Sequence, residues 1–108
     1  MNAAHLHLLF NHLPIIGFAI GLVLLGVSAV FRGDRGISLA SVLVLVISGG
    51  GGLAAQFTGE PAEEVVEHLP GVSEALIESH EKAGGVATIL SSVTMLIAVV
   101  LGVVTLRR

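Results

Sequence analysis

The sequence predicts an all-α integral membrane protein, a helical bundle of three transmembrane helices with a short amphipathic helical segment between the second and the third. Apolar residues make up 54% of the 108-residue chain and charged residues only 12%, whereas soluble domains carry about 25% charged residues. The apolar residues form three runs, each close to the ~20 residues that a helix needs to cross a bilayer. Seven of the eight acidic residues lie between the second run and the third.

The first transmembrane helix is predicted over residues 5–31, and its beginning has two interpretations. Pro14 suits the first position of a helix, where its missing N–H is not needed. A helix that begins near Ala3, with Asn2 as its N-cap, would instead contain Pro14 in its interior. In that case the proline would kink the helix and free the Phe10 carbonyl. The sequence leaves both interpretations open.

The second transmembrane helix is predicted over residues 37–57, after a short turn at residues 32–36. Its apolar run contains four consecutive glycines, Gly49–Gly52. Glycine has a low helix propensity in water, but in a bundle a run of glycines leaves a flat groove. Either a neighbouring helix or a planar cofactor could lie in this groove, and we favour the helix. The third transmembrane helix is predicted over residues 82–106.

The polar segment between them covers residues 58–83. The Glu60-Pro61 pair predicts the start of a short helix, which Pro70 and Gly71 would end. Ser73 is a suitable N-cap for the helix that leads into the third span. On the first turns of that helix, periodicity predicts an inward face of Leu76, His80, Ala83 and Ala87, with Glu74, Glu78 and Glu81 pointing away.

Three spans place the two ends of the chain on opposite sides of the membrane. Lys and Arg favour the cytoplasmic side, and four arginines fall together on one side: Arg32, Arg35, Arg107 and Arg108. The other side holds the N-terminus and the acidic segment, with Lys82 as its only base. We therefore predict a multi-pass protein with its C-terminus in the cytoplasm and residues 58–83 outside it.

This topology gathers all five histidines at one membrane face: His5, His7, His12, His68 and His80. Ionisable residues near membrane depth are functional candidates, and two histidines are able to hold the iron of haem b. We predict that His12, the deepest on the first helix, and His80 clamp a haem across the bundle. His7 and His5 would be additional ligands or close neighbours, and a second haem is compatible with this number of histidines.

Two other interpretations of these residues are kept. Glu64 and His68 stand four residues apart, which places two ligands of a divalent metal ion on one turn of a helix. Alternatively, the histidines bind nothing and hydrogen-bond at the interface, and the protein is a structural or assembly subunit of a larger membrane complex. The seven carboxylates would then be a solvated acidic face.

The stretch from His7 to Ile15, HLLFNHLPI, resembles the HPLLVHFPI opening of a bacterial membrane family catalogued as domain of unknown function 2231. The matching positions are His7, His12 and Pro14, although this chain lacks the proline after His7. Gly59 with the acids after it, and His80 before the last span, are also similar to that family. The segment TGEPAEEVVEHLPGVSE is similar to small uncharacterised bacterial membrane proteins. The resemblance implies a bacterial inner-membrane domain with a histidine site for redox or haem chemistry.

Together these observations predict a single membrane domain, residues 1–108, that acts as a small cytochrome-like electron-transfer subunit binding haem b. The predicted partners are the lipid bilayer, further copies of the chain or a larger complex, and a basic periplasmic electron carrier at the acidic segment. The absence of cysteine excludes c-type haem attachment and cysteine-ligated clusters. No basic patch indicates nucleic acid, and no nucleophile–base pair or phosphate loop indicates an enzyme.

Overall fold

Residues 2–32 and 34–107 are described by a computed structural model, and they form three helices. Helix α1 covers Ala3–Val30, α2 covers Arg35–Val66 and α3 covers Glu74–Arg107. No strand occurs within these ranges, and each helix is long and apolar enough to cross a membrane. The predicted all-helical architecture of three spans is therefore confirmed. Arg108, one of the four arginines used to predict the orientation, lies outside the described residues.

Side-chain caps fix where the first two helices begin. The Asn2 side chain accepts a hydrogen bond from the His5 backbone N–H at 3.0 Å, so α1 begins at Ala3. Pro14 consequently lies inside α1, as the second of the two interpretations requires. The Asp34 side chain accepts a bond from the Ile37 N–H at 3.0 Å and caps α2 in the same way.

The predicted short amphipathic helix is wrong as a separate element. Helix α2 continues without a break through Pro61 to Val66. A proline within a helix removes one backbone hydrogen bond, and the good helix formers around Pro61 (Ala, Gln and Glu) maintain the remaining ones. At 1.5 Å per residue the 32 residues of α2 extend about 48 Å. Its last turns therefore extend beyond the apolar run that ends at Phe57.

Helix α2 lies at the centre of the bundle. Helices α1 and α3 both pack along it in antiparallel directions and barely contact each other. One end of the molecule, here called the acidic end, holds the start of α1, the end of α2 and the start of α3. The opposite, basic end holds Arg32, Arg35 and Arg107, and there the Arg35 guanidinium donates to the Leu106 carbonyl at 2.6 Å.

The bundle packs through small residues and turns its large apolar side chains outward. The inward face of α3 repeats at alternating spacings of four and three residues: Gly84, Thr88, Ser91, Met95, Ala98, Gly102 and Thr105. Most large apolar side chains are exposed, and Leu45 is the one large aliphatic residue in the buried core of the described chain. This distribution is typical of membrane bundles, where lipid solvates the outer apolar surface and small residues let helices approach closely.

The glycine run is occupied by neighbouring helices. A Cβ added to Gly51 would lie 2.5 Å from Leu13 Cβ on α1, and one added to Gly49 would lie 2.6 Å from Met95 Cβ on α3. Of the two occupants considered for this groove, the structure therefore shows the helix. Within the run Gly49–Gly52, only Gly50, which is exposed, has no atom within 4 Å of such a Cβ.

Candidate functional site

The histidines of α1 and α3 meet at the acidic end. His7 and His80 lie with their ring centroids 5.9 Å apart and their planes at 83°. Metal–imidazole bonds of about 2.0–2.1 Å place two ring centres roughly 5 Å apart at a tetrahedral metal and roughly 6.4 Å apart on opposite sides of one metal. The observed separation of 5.9 Å lies between these two values. The two imidazoles thus lie at a separation that one metal centre is able to bridge. Both helices pack mainly on α2.

The His7 ring has one side-chain partner on α2, the hydroxyl of Thr58, which lies 3.1 Å from Nδ1. The Thr58 hydroxyl donates its proton to the Ala54 carbonyl at 2.9 Å. With the hydroxyl proton on this carbonyl, the Thr58 oxygen is the acceptor in the 3.1 Å contact with His7 Nδ1, and Nδ1 carries the ring proton. In the neutral imidazole the other nitrogen, Nε2, then keeps a free lone pair. Metal-binding histidines almost always donate their second ring nitrogen in this manner.

Sequence reasoning missed two polar residues, Thr58, which is the partner of His7, and Asn11, which is one turn from His7 on α1. Asn11 lies four residues after His7, on the same face of α1, and its buried Oδ1 has no hydrogen-bond partner within the described chain. Thr58 is the first residue after the second apolar run. A polar residue one turn from a histidine, and a hydroxyl at the same membrane depth, are the signals that would have identified them.

His12 lies on a different face of α1 from His7. Five residues at 100° place it about 140° around the helix and roughly 7.5 Å closer to the bilayer centre. Its side chain is exposed, and its Nδ1 donates to the Leu8 carbonyl. The structure therefore pairs His80 with His7, and it does not bring together the His12 and His80 that the sequence predicted as ligands.

The His5 side chain helps to cap the N-terminus of α1. Its Nδ1 accepts a hydrogen bond from the Asn2 backbone N–H at 3.4 Å, which completes a capping box. Its neutral ring consequently carries the proton on Nε2, opposite to His7 and His12. The N-terminal histidines are thus chemically different: His7 and His12 present a free Nε2 lone pair, and His5 does not.

The alternative metal site at Glu64 and His68 finds no support in the geometry. Helix α2 ends at Val66, so the helical spacing that would align these two residues does not reach His68. His68 lies in the following turn and pairs with Glu67 at 3.1 Å, with 84% of its side chain exposed. No group of three or more metal-ligating side chains occurs in residues 2–32 and 34–107.

Five carboxylates face each other across a cleft between the end of α2 and the start of α3: Glu63, Glu67, Glu74, Glu78 and Glu81. The predicted inward face of α3 is therefore wrong. Leu76, His80, Ala83 and Ala87 are exposed, and the glutamates that were expected to point away line the cleft. Thr88, which donates to Gln56, and Ser91, which lies against Gly52, form the contact with α2, and the glutamates of α3 face α2 from its first turns.

Glu63 is the perturbed member of this cleft, beyond the apolar part of α2. A hydrogen bond with the Glu81 side chain, with smaller contributions from desolvation and from nearby carboxylates, raises the pKa of Glu63 to about 7. One proton is thus held between two carboxyl groups on different helices near neutral pH. The shared proton reduces the repulsion at the corner that connects α2 with α3.

This proton makes the stability of the corner depend on pH. The folded protein holds the Glu63 proton more tightly than the unfolded chain, where the ordinary pKa is 4.5. The stabilisation is therefore fully present below pH 4.5 and is lost as the pH rises to about 7. We expect Glu63→Gln to remove this part of the pH dependence of thermal unfolding in detergent, and Glu64→Gln to retain it. Equal pH profiles for the two variants would contradict this assignment.

No model of a known protein family matches the chain, and no curated protein and no solved structure matches it. The resemblance to the domain of unknown function therefore stays a prediction. The features of the molecule that bear on its function are the histidine pair, its Thr58 partner and the surrounding charges.

Proposed function

We propose that this protein is a small membrane cytochrome-like electron-transfer subunit that holds haem b between His7 and His80. The observation that carries the proposal is the pairing of these two imidazoles at 5.9 Å across α1 and α3. The hydrogen bond of His7 Nδ1 with Thr58 supports it, because it leaves Nε2 free as a ligand. Two imidazoles are a suitable axial ligand set for haem iron.

The residues of the chain have distinct tasks at such a site. His7 and His80 supply the two ligand nitrogens, and Thr58 keeps the His7 ring in one orientation and one tautomer. The surrounding apolar helices supply a low dielectric, which tunes the redox potential of a bound group. The haem itself supplies the one-electron chemistry.

The arrangement of charges supports a location in the bacterial inner membrane with the acidic end outside the cytoplasm. Arg32, Arg35 and Arg107 lie at the basic end, which the positive-inside rule assigns to the cytoplasm. The carboxylates at the acidic end favour a basic soluble electron carrier as the partner, through electrostatic steering. A bundle of only three helices is suited to a homo-oligomer or to a larger membrane complex.

The test is a reduced-minus-oxidised visible spectrum of the detergent-purified protein, expressed with haem supplied. We expect a sharp reduced α band that His7→Ala and His80→Ala each abolish. His5→Ala and His68→Ala are the matched controls and should retain it, because neither ring is beside the pair. His12→Ala should also retain the α band. This result distinguishes haem ligation by His7 and His80 from ligation by His12 and His80.

Two other results would replace the proposal. A flat spectrum at full haem supply would overturn haem binding and favour a structural or assembly subunit without a cofactor. Stoichiometric zinc, copper or iron without a haem spectrum, lost in His7→Ala and His80→Ala, would indicate that the same pair binds a metal ion. Elemental analysis of the purified protein and both variants distinguishes these two results.

A further inference from the structure

Three exposed arginines lie together at the basic end of the bundle. Arg32 follows α1, Arg35 is the first residue of α2 and Arg107 is the last residue of α3. Asp34 is the one carboxylate side chain at this end of the described chain, and it accepts the hydrogen bond that caps α2. Three arginines less one aspartate leave two net positive charges at this end, although the whole chain has a net charge of −3.

The Arg35 side chain connects two helices and leaves most of its donors unused. Its guanidinium donates to the Leu106 carbonyl at 2.6 Å, so its charge lies at the end of α3, beside the backbone that carries Arg107. This bond uses one of the five N–H donors of a guanidinium. In the described chain the ion pairs involve His68 and Lys82, at the acidic end, and no carboxylate pairs with these arginines. Cations placed close together repel each other unless an anion lies among them.

These arginines lie at the depth of the lipid headgroups. The apolar run of α2 begins at Ile37 and that of α3 ends at Leu106, so Arg35 and Arg107 stand one or two residues outside the apolar runs. At 1.5 Å per residue this is about 1.5–3 Å along the helix, whereas the headgroup layer extends about 5–7 Å beyond the hydrocarbon core on each side. Both guanidiniums therefore reach the layer that contains the lipid phosphates. The paired N–H donors of arginine match the oxygens of a phosphate.

We propose that Arg35 and Arg107 bind the phosphate of an anionic membrane lipid, and that the charge of Arg32 strengthens this binding. A zwitterionic lipid is a poorer ligand, because the cation of its headgroup would add to the positive charge already present. A phosphate that accepts hydrogen bonds from both guanidiniums would also join the start of α2 to the end of α3. The site lies at the opposite end of the molecule from His7 and His80, and it does not require a bound haem.

Thermal unfolding of the detergent-solubilised protein tests the ligand with three additives. These are short-chain phosphatidylglycerol, phosphatidylcholine of the same chain length, and inorganic phosphate. We expect phosphatidylglycerol to raise the unfolding temperature at concentrations at which the other two have no effect, because a ligand that binds only the folded state stabilises it. Equal stabilisation by inorganic phosphate would indicate a site for free anions, and equal stabilisation by phosphatidylcholine would indicate acyl-chain binding. Either result, or no effect of phosphatidylglycerol, would overturn the lipid site.

Arg107→Gln tests the residues, because it removes one charge and leaves the bond between Arg35 and Leu106 in place. One basic residue near an anionic lipid surface contributes about fivefold in affinity. We therefore expect the half-maximal phosphatidylglycerol concentration to rise about fivefold in Arg107→Gln and about 25-fold in Arg35→Gln/Arg107→Gln. Lys82→Gln removes a positive charge at the acidic end and is the matched control, which should keep the wild-type value. An unchanged concentration in both arginine variants, or an equal rise in Lys82→Gln, would overturn the assignment.

Discussion

Gly51→Ala is expected to destabilise the bundle by about 1–3 kcal/mol, the usual effect of overpacking a well-packed interface. The added methyl group would lie 2.5 Å from Leu13 Cβ and close to the ring of Pro14. A Cβ atom does not move when its side chain changes rotamer, so the clash is relieved only if α1 and α2 separate. The stability of the detergent-solubilised protein, measured by thermal unfolding, reports this loss.

Gly50→Ala is the matched control for this prediction. Gly50 is the adjacent residue in the same helix, and its added Cβ has no neighbour within 4 Å. Because alanine has a better helix propensity than glycine, we expect this variant to be at least as stable as the wild type. A Gly51→Ala protein as stable as Gly50→Ala would mean that the helices are not packed through this glycine.

Thr58→Val is expected to weaken haem binding by about 10–100-fold, the usual effect of removing the residue that orients a metal-ligating histidine. Valine matches threonine in shape but cannot accept the proton of His7 Nδ1. The His7 ring then loses its fixed tautomer and orientation while the backbone of α2 is preserved. Titration of the apoprotein with haemin, followed by the Soret band, measures the change in affinity.

Thr58→Ser distinguishes this role from simple packing. Serine retains the hydroxyl and lacks only the methyl group, so we expect this variant to keep most of the affinity that Thr58→Val loses. Equal haem affinity of the Thr58→Val and Thr58→Ser proteins would show that the hydrogen bond to His7 does not position the ligand. Suppose that Thr58→Val binds haem with wild-type affinity while His7→Ala does not bind it. That result would mean that a contact other than Thr58 orients the His7 ring.

Much of the fold was predictable because it depends on chain length and hydropathy. Three apolar runs of sufficient length predict three helices, whereas the sequence left the start of α1 open between Ala3, with Asn2 as its cap, and Pro14. The extent of α2 was not predictable, because Pro61 and the acidic residues around it are typical of a helix start. In the structure these residues continue an existing helix, since a helix that is already formed adds residues without a new nucleation step.

The gathering of histidines at one end followed from topology, but the pairing did not. Which histidines meet depends on how α1 and α3 are rotated on α2, and Gly51 and Gly49 help to set that rotation. The sequence-based face of α3 placed Leu76 inward, as in a soluble amphipathic helix. In a membrane bundle the large apolar residues face lipid and small residues such as Ser91 face inward, so the helix is rotated and His80 meets His7 from its edge.

The length of the molecule determines how far the carboxylates of the acidic end lie from the membrane surface. The long axis measures 55 Å, whereas a bilayer with its headgroups is about 40–45 Å thick. The apolar runs stop close to Arg35 and Arg107, so most of the excess, roughly 10–15 Å, projects at the acidic end. That height is about one Debye length or more at physiological ionic strength. The carboxylate cleft is therefore largely screened from anionic headgroups, and salt in the surrounding solution sets how far a soluble cationic protein senses it.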